Sequence, residues 1–231
     1  MKIYNEVKLA QELIRFQTIK TEDRGIMKFL SKKLSSIGFK CKIIKSKGIG
    51  KKPALNLYAR KGKSKPHINF LGHTDVVANL NNWKIPPFKG VVKKGYLNGR
   101  GSQDMKGGIA CFISAISKFI RDKSFKGSIS IIIAADEETT GLGTPAIMKH
   151  LKRKGEKINF SIIAEPSSNR SVGDEIRIGR RGSMNGIITV YGKSGHSAFY
   201  GSYINPCTAL AKIIAKLKNV SLDNGTKFMP P

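Results

Sequence analysis

An α/β fold is predicted for this 231-residue chain by three observations. Its apolar residues switch repeatedly between a spacing of 3.6 and a spacing of two. No internal repeat or low-complexity tract interrupts that alternation. The longest strongly apolar run, Ile129 to Ala135, is strand-sized and far below the roughly 20 residues that cross a bilayer.

The elements follow in order. Leu9, Leu13 and Phe16 recur at helical spacing, with Glu6, Lys8 and Glu12 among them. This predicts a helix and no signal peptide, which needs an uninterrupted apolar stretch. Ile26, Phe29, Leu30 and Leu34 form the core stripe of a second helix that stops at Ile37-Gly38, where glycine takes a left-handed conformation. Phe39, Cys41 and Ile43 alternate as a strand, and further strands are expected at Leu55 to Ala59, Pro66 to Leu71, Ser128 to Ala134 and Phe160 to Ala164. The last three are apolar enough for a sheet covered on both faces. Lys106 to Arg121 reads as a buried helix. Another should open with Thr144 as N-cap and Pro145 in first position and run to about Lys154. After Gly179 the texture changes: Ser183 to Tyr191 alternates like a strand, and Asn205-Pro206 opens a helix through Leu217. The expected division is 1–179 and 180–231, the second part too short for a core of its own.

Lys and Arg number 42 against 15 Asp and Glu, a formal charge of +27. Such a surplus is the usual footprint of a nucleic-acid binder. Here 32 of the basic residues are Lys, scattered along the whole length, and no aromatic platform accompanies them, which points to a solvated surface. Cys41, Cys111 and Cys207 are too few and too far apart for disulfides or a zinc finger. The expected location is the cytoplasm, with neither membrane nor nucleic acid as partner.

The acids are less evenly spread. The strand ending at Leu71 runs into Gly72-His73-Thr74-Asp75, where His73 and Asp75 point to the same side. A carboxylate beside a histidine can hold one ring nitrogen and leave the other aimed at a metal. Gly99-Arg100-Gly101-Ser102-Gln103-Asp104 follows, a glycine-rich turn that matches no phosphate-binding fingerprint. The strand through Ala134 then delivers Asp136-Glu137-Glu138, three adjacent acids that repel one another unless a cation neutralises them. A fourth strand ends in Ala164-Glu165-Pro166. His73, Asp75, Asp104, Glu137, Glu138 and Glu165 thus emerge where an α/β sheet collects its ligand groups, and one His with several carboxylates suits zinc or a similar divalent ion.

GHTDVV, GRGSQDMKGG, ADEE and AEPSS, in this order and spacing, resemble the dinuclear zinc amidohydrolases that include aminoacylase, acetylornithine deacetylase, glutamate carboxypeptidase and succinyl-diaminopimelate desuccinylase. The run Val172 to Ser183 and Gly195-His196-Ser197-Ala198-Phe199 are most similar to the desuccinylase branch. The resemblance implies a mixed sheet with helices on both faces, followed by the start of an α+β lid through which a homodimer forms. It implies His73 as a ligand of the first metal, oriented by Asp75, Asp104 as the bridge, Glu165 completing the first site and Glu138 holding the second. Glu137 would be the general base, Arg180 would bind a substrate carboxylate and His196 would help stabilise the oxyanion. Asp104-Met105 would be a cis peptide. The implied reaction is hydrolysis of the succinyl amide of N-succinyl-LL-2,6-diaminopimelate, with another N-acyl amino acid as the alternative substrate and two zinc ions, or cobalt or manganese, as cofactor. The chain looks like the first three-fifths of such a protein, and no spare histidine stands where the family completes its second metal site. Tyr200 to Pro206 also departs from the desuccinylase pattern, which leaves substrate choice less determined than chemistry. A truncated, non-catalytic chain and a basic nucleic-acid-binding protein are the alternatives from other classes.

Overall fold

The computed structural model describes residues 2–50, 52–78, 81–179, 182 and 185–229. The chain divides after Ser167 into two compact units. The first contains, in order, α1 (Glu6–Ile14), α2 (Ile26–Ser35), β1 (Lys40–Ser46), β2 (Ala54–Gly62), β3 (His67–His73), β4 (Val91–Lys93), β5 (Tyr96–Asn98), α3 (Lys106–Asp122), β6 (Ser128–Ala134), α4 (Gly143–Arg153) and β7 (Phe160–Ile163). The second contains α5 (Pro206–Leu217).

Five strands form one sheet in the order β1-β2-β6-β3-β7, and β4 with β5 make a separate hairpin. β1, β2 and β6 pair antiparallel, whereas β6, β3 and β7 run parallel, so the sheet is mixed as expected. The period-2 pattern sorts the two faces. Leu57, Ala59, Phe70, Ile131 and Ile133 pack into one cluster with Leu9 and Leu13 of α1, Ile26 and Leu30 of α2, and Ile109 and Ile113 of α3. Their neighbours Tyr58, Leu71 and Ile132 point the other way and meet Ile147 and Leu151 of α4. Helices therefore cover both faces, and β6 is buried along its whole length. Each fully buried Ile or Leu in such a core contributes on the order of 1.5–3 kcal/mol.

α1 starts at Asn5, whose side chain accepts from Lys8 N at 2.9 Å. α2 buries Ile26, Met27, Leu30 and Leu34. Gly38 follows it at φ +90°, and Phe39 N returns to Leu34 O at 3.1 Å, the left-handed stop expected there.

Three expectations are corrected. α4 starts at Gly143, not after a Thr144 cap: Leu142 precedes it and no side chain of the cap residue bonds the first turn. The carboxylate of Asp136 takes that place from across the loop, so a tertiary contact overrides local capping preference. β7 is apolar but not covered on both faces: Phe160, Ile162 and Ile163 are each more than half exposed, because among the described residues β7 is the edge strand beyond β3. Apolarity shows that a strand can be covered, not that it is. Residues 185–191 form no strand, Ser183 and Met184 lying outside the described residues; alternation without a neighbouring strand to pair with makes no ladder.

In the second unit Asn205 caps α5, accepting from Cys207 N at 2.9 Å, with Pro206 in the first turn. An isolated bridge joins Lys193 and Ile204, and no residue of α5 is buried. Among the described residues no helix is long and apolar enough to cross a membrane.

Candidate metal centre

Parallel pairing brings the carboxyl ends of β3, β6 and β7 to one edge of the sheet, with His73 opposite Ala134 and Leu71 opposite Ile163. In α/β sheets that edge is where ligands bind. β3 delivers His73, β6 runs on into Asp136, Glu137 and Glu138, and β7 runs on to Glu165. Asp104 comes from the glycine-rich turn before α3, and its peptide bond to Met105 is cis, as the resemblance implied.

His73 is the hub and is almost fully buried. Its Nε2 lies 3.0 Å from Asp104 Oδ1, 3.6 Å from Glu165 Oε1 and 4.0 Å from Glu137 Oε2. Its Nδ1 faces Asp75, 3.1 Å from the main-chain oxygen and 3.4 Å from Oδ1. One ring nitrogen is thus held from behind while the other looks into a ring of acids. Two overlapping groups, His73 with Asp104 and Glu138, and His73 with Glu137 and Glu165, place their donor atoms within 4.8 Å of one another. A divalent ion binds imidazole and carboxylate at about 2.0–2.2 Å, so such a cluster fits one.

The buried Asp75 carboxylate does more than face the imidazole. Its Oδ1 accepts from Glu137 N at 3.1 Å and its Oδ2 from Glu138 N at 2.9 Å, so one side chain connects the histidine to the loop that carries both glutamates.

Electrostatics favour positive charge at this place. Burial pulls the His73 pKa down, but the hydrogen bond and charge of Asp75, with Glu165 and Asp104, outweigh it and raise it to about 9. Burial, and then the charge of Asp104, pushes the Glu138 carboxyl up. A proton on the imidazole relieves the same field that a cation would.

Asp136 does not share in this crowding. Its carboxylate is fully buried and accepts from Gly143 N at 2.8 Å, Leu142 N at 3.1 Å and the Thr140 hydroxyl. Of the three adjacent acids, only Glu137 and Glu138 are left to need a cation. Lys106, equally buried, donates from Nζ to Phe16 O at 2.8 Å, while Thr18 donates its hydroxyl to Thr74 O and Val76 N bonds Thr18 O at 3.0 Å. These contacts fasten the segment after α1 beneath the strand end that bears His73. Nothing in the sequence set Asp136 apart from Glu137 and Glu138, and Lys106 and Thr18 left no local signal.

Arg180 lies outside the described residues. His196 belongs to the second unit, where it is exposed, accepts from Ala198 N at 3.1 Å and meets the Phe199 ring edge-on.

A sheet of this order with acids and one histidine at its carboxyl edge defines a class, and the comparison agrees: the chain belongs to peptidase family M20/M25/M40, whose model matches residues 70–230. It is 46% identical over its whole length to succinyl-diaminopimelate desuccinylase of Pelagibacter ubique (strain HTCC1062), covering 61% of that protein. With the desuccinylase of Ehrlichia canis (strain Jake) it shares 42% identity, over 97% of this chain and 60% of the other. The chain therefore spans about three-fifths of the curated relatives it matches. Among solved structures, a tripeptidase from Staphylococcus aureus subsp. aureus mu50 superposes with a TM-score of 0.63 at 17% identity, over 93% of this chain and 57% of the other. An M20 family metallo-carboxypeptidase from Sulfolobus solfataricus gives 0.61 at 20% identity, over 70% of this chain and 37% of the other. These structures share the fold.

Proposed function

We propose that this chain, within a protein of its relatives' length, serves a metal-dependent amidohydrolase that cleaves the succinyl amide of N-succinyl-LL-2,6-diaminopimelate to succinate and diaminopimelate. The observation that carries the chemistry is the convergence of His73 with Asp104, Glu137, Glu138 and Glu165 at the carboxyl edge of the sheet. Whole-length similarity to desuccinylases supports the substrate.

His73, Asp104 and Glu165 would hold one ion, with Asp104 shared and Glu138 holding a second; zinc suits the donors, and cobalt or manganese would also be accepted. Bound there, the ions would polarise the amide carbonyl and acidify water. Asp75 keeps the His73 ring oriented and the Glu137-Glu138 backbone in place. Glu137 is the general base: its carboxylate takes a proton from the attacking water and gives it to the departing amine, so that water adds across the broken amide bond and no proton is lost. Arg180 receives a substrate carboxylate, as a guanidinium fork is shaped to do. His196 supports the carbonyl oxygen as it gains charge. Residues 1–179 form the metal-binding part and 180–231 begin a lid that pairs two copies into a cytoplasmic homodimer. The +27 charge favours approach of a substrate rich in carboxylates.

The test is turnover by a protein of the relatives' length that carries this sequence, loaded with zinc. Succinate release from N-succinyl-LL-2,6-diaminopimelate is expected, and removal of the metal should abolish it. Cleavage of acetylornithine with no succinate release would overturn the substrate assignment while leaving the chemistry standing.

A further inference from the structure

Asp136 has no part in the proposed chemistry, yet its hydrogen bonds span the whole loop that follows Glu138. Its carboxylate accepts from Gly143 N, Leu142 N and the Thr140 hydroxyl, and its main-chain oxygen accepts from Gly141 N at 2.8 Å and Thr139 N at 3.4 Å. One residue thereby ties down every step of the return from Thr139 to the first turn of α4. On the other side of Glu137 and Glu138, the Asp75 carboxylate holds both their N–H groups. The two glutamates leave from a backbone clamped before and after by two buried carboxylates.

The packing around the clamp leaves it no slack. A Cβ placed on Gly143 would lie 2.4 Å from Asp136 Oδ1 and 2.3 Å from Asn56 Oδ1, so helix α4 begins closer to the strand end than any residue with a side chain allows. Asn56 in turn accepts from Ala135 N at 3.1 Å and donates to Ile44 O at 3.1 Å, which fixes the strand side of the junction. Asn56, Asp136 and Gly143 make one joint between β2, β6 and α4.

We propose that Asp136 is a positioning residue for the metal centre: by closing the loop from Glu137 to Leu142 onto the start of α4, it sets where the Glu137 and Glu138 carboxylates stand relative to His73. This rests on the metal-binding reading given above. Its neighbours carry the ligand atoms; Asp136 decides where those atoms are. Groups that orient ligands in this way typically change metal affinity about 10- to 100-fold when removed.

The experiment is zinc affinity of this chain by competition with a chromophoric chelator, with circular dichroism and melting in EDTA as the measure of folding. Asp136→Ala is expected to fold and to bind zinc about 10- to 100-fold more weakly. Asp136→Asn, which keeps one accepting oxygen, should recover part of the loss. Thr140→Val removes one hydroxyl donor at an exposed position, will fold even where Asp136→Ala does not, and should weaken zinc about fivefold, the equivalent of one ordinary hydrogen bond. Folded Asp136→Ala or Thr140→Val with wild-type zinc affinity, and only a lowered melting temperature, would overturn the proposal and leave Asp136 a purely structural cap. His73→Ala separates the two readings: if it binds zinc as tightly as wild type, the metal centre itself is wrongly placed, whatever Asp136 does.

Discussion

Replacing Lys106 by Met should make the metal-free chain more stable at neutral pH and leave it about equal at pH 10. Lys106 has no exposed surface, and burial brings its pKa from the ordinary 10.5 down to about 7, the charge of Asp75 offsetting only part of that. Below pH 7 the ammonium is charged both in the fold and in the unfolded chain, and the whole cost of burying it is present. As pH rises from 7 to 10.5 the unfolded chain still holds the proton while the folded chain has lost it, and the cost fades to nothing. That interval corresponds to about 5 kcal/mol at roughly 1.4 kcal/mol per pH unit. Met has a similar volume and no charge, but it leaves Phe16 O without the bond Nζ donates at 2.8 Å, a loss of about 1 kcal/mol. At pH 7, where the folded group is half titrated, about 4 kcal/mol of that cost is present, and at pH 10 about 1 kcal/mol, so the variant should gain about 3 kcal/mol at pH 7 and about zero at pH 10. Urea unfolding at both pH values, in EDTA, measures the difference. A variant that differs from wild type by the same amount at pH 7 and pH 10 would refute the buried-ammonium argument. The expected gain also says that this lysine costs the fold stability where it sits, beneath the strand end that carries His73.

Three further outcomes are expected. Both candidate donor groups use the one His73 ring, whose Nδ1 is occupied by Asp75, so this chain should hold about one zinc ion tightly, and metal analysis finding two tightly held ions would contradict the geometry. Glu137→Gln in a protein of the relatives' length should lower turnover by about 10²- to 10⁴-fold while zinc content stays unchanged; near-normal turnover would remove Glu137 as the base. His67 is buried between Lys157 O at 3.0 Å and Ser130 Oγ at 2.8 Å, and burial lowers its pKa below the usual 6.5. Below 6.5 the unfolded chain takes up the proton before the folded one, so stability should fall as the medium is acidified through that range. His67→Gln should flatten that slope in melting temperatures read at pH 7.5 and 5.5, and an unchanged slope would assign the acid sensitivity elsewhere.

Elements built from local rules could be read directly from residues. Ser128 to Ala134 is a strand over its whole expected length, because a short run dominated by isoleucine between turn residues has few other places to go. Asn205-Pro206 opens α5, because cap and first-turn preferences act within four residues. α4 departed from its local signal because Asp136, seven residues before Gly143, supplied the acceptor. The strand expected between Ser183 and Tyr191 failed over its described part for the complementary reason: a strand is a relation between two segments, and its pattern names only one.

The same division runs through the site. Sequence by itself determined which residues emerge at strand ends, because alternation and glycine-rich turns are short-range properties, and it determined the family through four motifs in order. Tertiary structure alone decided that β6, β3 and β7 run parallel with their carboxyl ends at one edge, which puts Nε2 of His73 within 4.0 Å of three carboxylates drawn from three segments. It alone separated the three acids after β6 into one that holds a helix and two that face the histidine. Charge and spacing are the same for all three; what differs is the hydrogen-bond partner each side chain meets, and partners distant along the chain become neighbours only on folding.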